Sequence, residues 1–355
     1  MTESLIHCEH SVRCGGCPAI SLSYEDQLEK KHAAVQSAFA LFTELAHVRI
    51  EPVQAARPIT QYRTRAKWVT GKHGALGLFS LGTHEVQDLP QCKVIAPAIA
   101  RGALALRSLI SQLDRNPALV TVADGGALYA VDLRELVQRD ASTKLLVTLV
   151  VLSSRCTIEQ AREACSRLVN EGIAKSAAAS WHDGRNVQML GENPRIYAGD
   201  PEPTDVLVQG KLWQLVSPGS FVQTHRNTAA AIHDLIVREL SHTQRAQIPT
   251  RVLELYAGSG ALGLKLAASG MHVRCVESFA PAVAQIDRAA RLQGLKSISA
   301  IAQDAAARTR QSIVFSVGSA ASTQACVCLV RSRDARTGRR RARCPRLSHA
   351  ECATV

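Results

Sequence analysis

The sequence predicts an α/β protein in two parts: a doubly wound, Rossmann-like α/β domain that is incomplete, preceded by an α+β domain. Three observations predict this. From Arg251 the chain reads strand, glycine-rich turn, helix, strand, helix and short strand as far as Asp304. Between Arg49 and about Pro203 short strands and helices mix without that regular alternation. Beyond Asp304 the alternation fades, although a domain of this kind needs several more strands.

The elements follow in order. A cysteine-rich start, Cys8 to Cys17, leads into an amphipathic helix in which Leu28, Val35, Phe39 and Phe42 recur at helical spacing among Glu, Lys and Gln. That stripe is expected to face the core. Strands are expected at Ala66 to Thr70, Thr121 to Ala123 and Leu145 to Val151, with a helix from Thr157 to Asn170. The polar stretch Ser241 to Thr250, carrying Pro249, separates a helix from the apolar strand Arg251 to Tyr256. A strand from Met271 to Glu277 and a helix from Pro281 to Leu292 come next, with the proline suited to the first turn. Residues 311–355 are rich in Ala, Ser, Cys and Arg without a clear period. A half-built parallel sheet would expose a hydrophobic edge, so this end is read as non-native, from a shifted reading frame, or disordered, in preference to a natural basic tail. The expected domains are therefore 1–205, 206–310 and the tail 311–355.

Composition bounds the class. Hydrophobic residues at 46% and charged residues at 20% are ordinary for a globular protein, so disorder is not the default expectation. The apolar run Leu145 to Leu152 is far shorter than the ~20 residues that cross a bilayer, and Met1 to Cys17 has no signal-peptide core, so a cytoplasmic protein with no membrane partner is expected. A net charge of +12 suggests a polyanionic partner, although half of it falls in residues 311–355 and leaves the body only mildly basic. Eleven cysteines, clustered at the start, are better explained by metal than by disulfides in a reducing compartment.

Two motifs carry chemistry. Glu254-Leu-Tyr256-Ala-Gly258-Ser-Gly260-Ala-Leu-Gly263 lies between a strand and a helix, where glycines allow a tight turn and close approach of a ligand. Glu277 closes the next strand, where a carboxylate can accept hydrogen bonds from both ribose hydroxyls. The glycine pattern alone fits NAD as well as S-adenosylmethionine. Glu254 beside the turn favours the latter, whose sulfonium is cationic, over a pyrophosphate. Cys8, Cys14 and Cys17 give C-x5-C-x2-C, with Gly15 and Gly16 expected to let the chain fold sharply and Cys92 the best fourth ligand. A local zinc site from Cys8, His10, Cys14 and Cys17 stays open on spacing.

Taken together, residues 8 to about 304 resemble the RNA uracil-C5 methyltransferases that modify tRNA and ribosomal RNA. The cysteine set, Cys8, Cys14, Cys17 and Cys92, looks like that family's [4Fe-4S] motif. Pro218-Gly-Ser-Phe221-Val-Gln223 is similar to its Phe-x-Gln element, whose Gln contacts S-adenosylmethionine. In the third segment the resemblance implies cofactor-binding roles for Tyr256, Gly258 and Gly260, with Glu277 and Asp304 in the ribose and adenine positions. Thr224-His225 and Ala261 depart from the family's more usual residues. The form resembled lacks the N-terminal RNA-binding barrel. The partner implied is structured RNA, 23S rRNA favoured over tRNA, bound by a monomer. RNA contacts are then expected from Arg63, Arg65 and Lys67, which alternate onto one face of an extended segment.

The reaction implied needs a thiolate to add at uracil C6 and a base to remove the C5 proton, on a base taken out of its stack. The family carries these in a Ser-Cys-x-Pro element after an Asp-Pro-Pro-Arg-like loop and in a Glu nearer the C-terminus. The sequence contains neither element; Cys344-Pro345 and Glu351 do not match in position or surroundings, so no catalytic residue is assigned and a catalytically defective chain is expected. Cys156, Cys165 and Cys275 read as core thiols. The alternatives are a non-catalytic, metal-bearing RNA-binding protein and a dinucleotide-dependent oxidoreductase; the latter leaves Phe221-Val-Gln223 and the cysteines without a role.

Overall fold

The computed structural model describes residues 5–111, 116–186, 188–242, 250–304 and 324–328. The chain divides into two units: one of residues up to Glu135, Thr143–Pro201 and Thr224–Thr228, the other of Leu136–Ser142, Glu202–Gln223 and the residues from Ala229 onward.

The first unit holds α1 (Tyr24–Phe39), β1 (Arg65–Thr70), β2 (Leu76–Phe79), β3 (Val86–Asp88), α2 (Pro97–Ser111), β4 (Leu128–Val137, its last two residues in the second unit), β5 (Thr143–Leu152), α3 (Ile158–Asn170), β6 (Ser176–His182) and β7 (Glu192–Gly199). Its strands form one sheet in the order β3-β2-β1-β4-β5-β6-β7, with β5 and β6 parallel and β6 and β7 antiparallel. Alternate residues such as Val147, Leu149 and Val151 join the core with Ile99 and Leu106 of α2 and Leu168 of α3. A Cβ at Gly102 would stand 2.1 Å from Leu145 Cδ1, so one there would force the Leu145 side chain, where α2 meets β5, to shift. Thr157 caps α3 through a complete capping box with Gln160. Cys156 and Cys165 are buried in this core.

Two expectations change here. The α1 stripe contains no buried residue, and Phe42 lies beyond the helix end with 52% exposure; the apolar spacing is real, but no described element covers it fully. Thr121 to Ala123 is no strand: Thr121 caps a one-turn 3-10 helix over Val122–Asp124, accepting from Asp124 N–H. A β-branched pair in three residues satisfies a strand pattern and a turn cap equally well.

The second unit holds β8 (Thr204–Val208), β9 (Leu212–Leu215), α4 (Arg226–His242, its first residues in the first unit), β10 (Arg251–Leu255), α5 (Ala261–Ala268), β11 (His272–Glu277), α6 (Ala280–Leu292), β12 (Ile298–Ala302) and β13 (Gln324–Cys328). Four strands run parallel in the order β12-β11-β10-β13, and β8 and β9 make an antiparallel pair. β13 lies within 311–355, where the sequence shows no period. The Gln293 side chain accepts from Trp213 N–H at 3.0 Å and donates to Trp213 O at 2.8 Å, tying the end of α6 to β9. No described helix is long and apolar enough to cross a membrane.

Candidate cofactor site and cysteine pocket

Strand order places the first site. β11 and β13 flank β10 on opposite sides, so β10 lies where the strand order reverses, and in open parallel sheets ligands bind beyond the carboxyl ends of the strands at such a point. The glycine-rich turn stands at that end. Tyr256, the first residue after β10, holds a left-handed φ of 59° and is 47% exposed, an uncommon conformation for a residue with a side chain. Gly258 (φ 58°) and Gly260 (φ 77°) continue the turn, and Gly260 must also lack a Cβ because one would come within 2.6 Å of Ile286 Cγ1. Gly263 has no such φ; its Cβ would fall 2.5 Å from Glu254 Oε2 and 2.6 Å from Cys275 Sγ, so it serves close packing of α5 on the sheet.

Glu277 ends β11 beside this turn. Its Oε2 accepts from Gly258 N–H at 2.9 Å and its Oε1 from Phe279 N–H at 2.9 Å. Ser278 Oγ also donates to Oε1 at 3.2 Å, so of a carboxylate's about four acceptor directions roughly one, on Oε2, remains for a ligand. Asp304 is exposed two residues past β12, so Tyr256, Glu277 and Asp304 stand at the carboxyl ends of three adjacent strands. Phe221 is 42% exposed, its Cβ 4.0 Å from where a Cβ on Gly258 would be, and Gln223 is exposed two residues later.

Glu254 behaves differently from the expectation that it faces the ligand. Alternation along β10 turns it under α5, where it is 2% exposed and accepts from the Cys275 thiol at 3.3 Å. Burial pushes its pKa up to about 7 against the opposing effect of the Cys275 and Gly263 hydrogen bonds, and burial holds the Cys275 thiol well above its ordinary value. Spacing gave no sign of a second support. Ser259 Oγ lies 2.6 Å from Gln214 Oε1, Gln214 Nε2 donates to Asp205 Oδ2 at 3.4 Å, and Asp205 Oδ1 accepts from Val137 N–H at 3.0 Å. These buried partners lie up to 122 positions apart in sequence, between Val137 and Ser259, and no local pattern announces them.

The second site is in the first unit. Cys8, Cys14, Cys17 and Cys92 line one pocket with His10, Ile20 and Leu89. All four are free thiols. Turns at Cys8–Ser11 and His10–Cys14 bend the chain around the pocket, and Leu81 N–H donates to Arg13 O at 2.9 Å. Gly15 and Gly16 take no left-handed φ; instead Leu81 Cδ2 and Leu78 Cδ1 come within 2.9 and 3.0 Å of where their Cβ atoms would be. Both lie in a turn, as expected, and a Cβ at either would press on the end of a leucine side chain. Burial and then the neighbouring Cys92 push the Cys17 thiol up, with Arg63 opposing. Burial also raises Cys92, against N–H donors from Val94 and Ile95. Gly16 N–H points at Cys14 Sγ at 3.4 Å. Among the described residues no group of three or more His, Cys, Asp or Glu is placed to hold a metal ion.

The three expected RNA-contacting cations do not share one exposed face. Arg65 is 8% exposed and its Nε donates to Asp132 Oδ1 at 2.8 Å. A buried, paired guanidinium cannot reach a phosphate, which corrects that assignment. Arg63 is half-buried near Cys17, and Lys67 is exposed.

No family model matches the chain. An RNA methyltransferase of Geobacter sulfurreducens is 24% identical over 302 residues, covering 84% of this chain and 59% of its own length. The 23S rRNA (uracil(1939)-C(5))-methyltransferase of Pseudomonas fluorescens is 27% identical over 297 residues, covering 78% and 56%. The chain thus spans about three fifths of the length of the curated relatives it matches. Among solved structures, the Pyrococcus abyssi tRNA (uracil-54, C5)-methyltransferase in complex with S-adenosyl-L-homocysteine aligns with a TM-score of 0.61 at 19% identity, covering 82% of this chain and 65% of that one. In sequence over roughly four fifths of its length, and in its mixed α/β fold, the chain is similar to the RNA uracil-C5 methyltransferases.

Proposed function

We propose that this chain is built as an S-adenosylmethionine-dependent RNA uracil-C5 methyltransferase acting on structured RNA, 23S rRNA in preference to tRNA, in the cytoplasm and as a monomer. The observation that carries the reading is the glycine-rich turn at the carboxyl end of β10 with Glu277 ending the adjacent strand. S-adenosylmethionine would supply the methyl group. Tyr256, Gly258 and Gly260 would line its site, Glu277 would accept from the ribose hydroxyls, Asp304 would meet the adenine, and Gln223 would contact the cofactor from the Phe221–Gln223 segment. Lys67 and Arg63 are the remaining candidates for phosphate contacts. The second unit, 206–310 in its main part, is the methyltransferase domain, and residues 1–205 are the RNA-contacting part.

The pocket of four cysteines is read as the site of a [4Fe-4S] cluster. The preference over zinc rests on the resemblance of the cysteine set to the family's motif; the four thiols share one pocket, and N–H donors at Cys14 and Cys92 suit cluster sulfurs. Cys8, Cys14, Cys17 and Cys92 would hold it. Anaerobic reconstitution should yield roughly four irons per chain, and Cys92→Ser should lower that count; one zinc per chain would overturn the assignment.

The nucleophile and base remain unassigned, because the sequence carries no Ser-Cys-x-Pro element and residues 305–323 and 329–355, with Cys344 and Glu351, lie outside the described residues. A second reading is a metal-bearing RNA-binding protein without transfer activity. Titration with S-adenosylhomocysteine against NAD, followed by methyl transfer from labelled S-adenosylmethionine to unmodified bulk RNA, tests both. Cofactor binding without transfer marks a defective methyltransferase; RNA binding without cofactor binding supports the second reading; NAD binding would overturn both.

A further inference from the structure

Three of the five residues from Tyr256 to Gly260 hold left-handed φ values, and one of these three, Tyr256, carries a side chain. A run of this kind persists only where surrounding contacts over-determine it. β11 supplies two of them: Val276 O accepts from Ala257 N–H at 3.1 Å, and Glu277 Oε2 accepts from Gly258 N–H at 2.9 Å. Glu277 is also the expected ribose acceptor, so its hold on the turn is shared with the ligand. A third contact comes from the ribbon β8–β9. Ser259 stands between the two glycines, and its hydroxyl donates to Gln214 Oε1 at 2.6 Å.

Gln214 is itself oriented. Its Nε2 donates to Asp205 Oδ2 at 3.4 Å, from the residue paired with Asp205 across the ribbon, and Asp205 Oδ1 accepts from Val137 N–H at 3.0 Å. A carboxylate only accepts, so Asp205 fixes which way round the amide lies: nitrogen toward Asp205, oxygen toward Ser259. The ribbon is seated too, since Trp213 and Leu215 share a core cluster with Leu264 of α5 and Ala290 of α6. Asp205, Gln214 and Ser259 are all buried, where a hydrogen bond lost is not made good by solvent. Every residue of this network belongs to the second unit.

We infer that Gln214, oriented by Asp205, is a positioning residue for the cofactor: through Ser259 it holds the Tyr256–Gly260 turn in its ligand-ready conformation. Cofactor affinity then depends on a side chain outside the turn. The inference rests on the cofactor reading above.

The test uses the full chain and measures S-adenosylhomocysteine affinity by calorimetry at about pH 5.5, with amide exchange in the free protein. Gln214→Leu and Ser259→Ala should each weaken binding roughly fivefold or more, because one buried hydrogen bond is worth about that factor in the population of the turn. In the Ser259→Ala background, Gln214→Leu should add less than about twofold, since the two act as one contact. Gln214→Glu is isosteric with the wild type, and of two adjoining buried carboxyls one keeps a proton at this pH. It therefore retains both hydrogen bonds and should bind as the wild type does. Exchange should quicken at Gly258 and Gly260 in Ser259→Ala, while Val252 and Val273 in the sheet stay protected.

Wild-type affinity in Ser259→Ala, an equal effect of Gln214→Leu in both backgrounds, weak binding by Gln214→Glu, or loss of Val273 protection in Ser259→Ala would each overturn the inference and leave the cofactor reading standing. If Gln214→Leu does not fold, Ser259→Ala and Gln214→Glu decide the matter by the same outcomes. A wild-type chain that binds no S-adenosylhomocysteine overturns the cofactor reading and this one together.

Discussion

Three glycine-to-alanine substitutions separate two costs in the second unit. Gly258, Gly260 and Gly270 all hold left-handed φ values, 58°, 77° and 87°, so each alanine variant pays about 1–2 kcal/mol for backbone conformation. They differ in space. Nothing lies within 4 Å of a Cβ on Gly270, and Phe221 Cβ is 4.0 Å from one on Gly258, but Ile286 places three carbons at 2.6, 3.0 and 3.2 Å from one on Gly260. Ile286 is fully buried in the core beneath the turn, so it cannot swing into solvent, and overpacking adds about 1–3 kcal/mol. Gly260→Ala should therefore cost roughly 2–5 kcal/mol, against about 1–2 for the other two. Native-state amide exchange at Val252 of β10 and Val273 of β11 reads this loss directly, because their protection reports opening of that sheet. Equal losses in Gly260→Ala and Gly270→Ala would refute the packing of Ile286 against the turn.

Other perturbations test separate contacts. Glu254 has its pKa raised from 4.5 to about 7 in the fold, so its contribution is fully present below pH 4.5 and lost as pH rises to about 7, on the order of 3 kcal/mol. Denaturation of the wild type and Glu254→Gln at pH 5 and pH 7.5 should show the wild type losing stability relative to the variant; parallel changes would count against a buried acid there. Arg65→Ala leaves Asp132 buried without its guanidinium and should cost about 3–5 kcal/mol, whereas Lys67→Ala should weaken RNA binding and flatten its dependence on salt by roughly one in slope. A fold loss for Arg65→Ala below about 1 kcal/mol would return Arg65 to the RNA candidates. Thr157→Ala removes the capping box of α3 and should cost about 1 kcal/mol in exchange protection of the α3 amides.

What the sequence disclosed follows from how local each signal is. The strands at Arg251 and Leu145 are runs rich in β-branched and large apolar residues, that at His272 places valines and a cysteine among polar residues, and the turn after Leu255 is marked by glycines, so all were legible. β6 was not, because Ser-Ala-Ala-Ala-Ser-Trp-His has little strand propensity and is held by pairing on both sides. Arg65 looked like a solvated cation because its partner, Asp132, is 67 residues away. Glu254 was visible as part of the turn motif, but only the direction of its side chain from β10 assigns it to Cys275 and the start of α5. The cysteines were legible as a group because three of the four are close in sequence, and Cys92, expected as the fourth, lines the same pocket.

The amide of Gln293 presents one acceptor and one donor to the main chain of Trp213, the same pair of groups that a neighbouring strand residue would offer. A two-stranded ribbon such as β8–β9 keeps open hydrogen-bonding sites that can recruit a strand from another molecule. Here a single side chain from the end of a helix occupies one of those sites. It terminates the ribbon as a plug terminates a socket, and it does so without adding a strand to the fold.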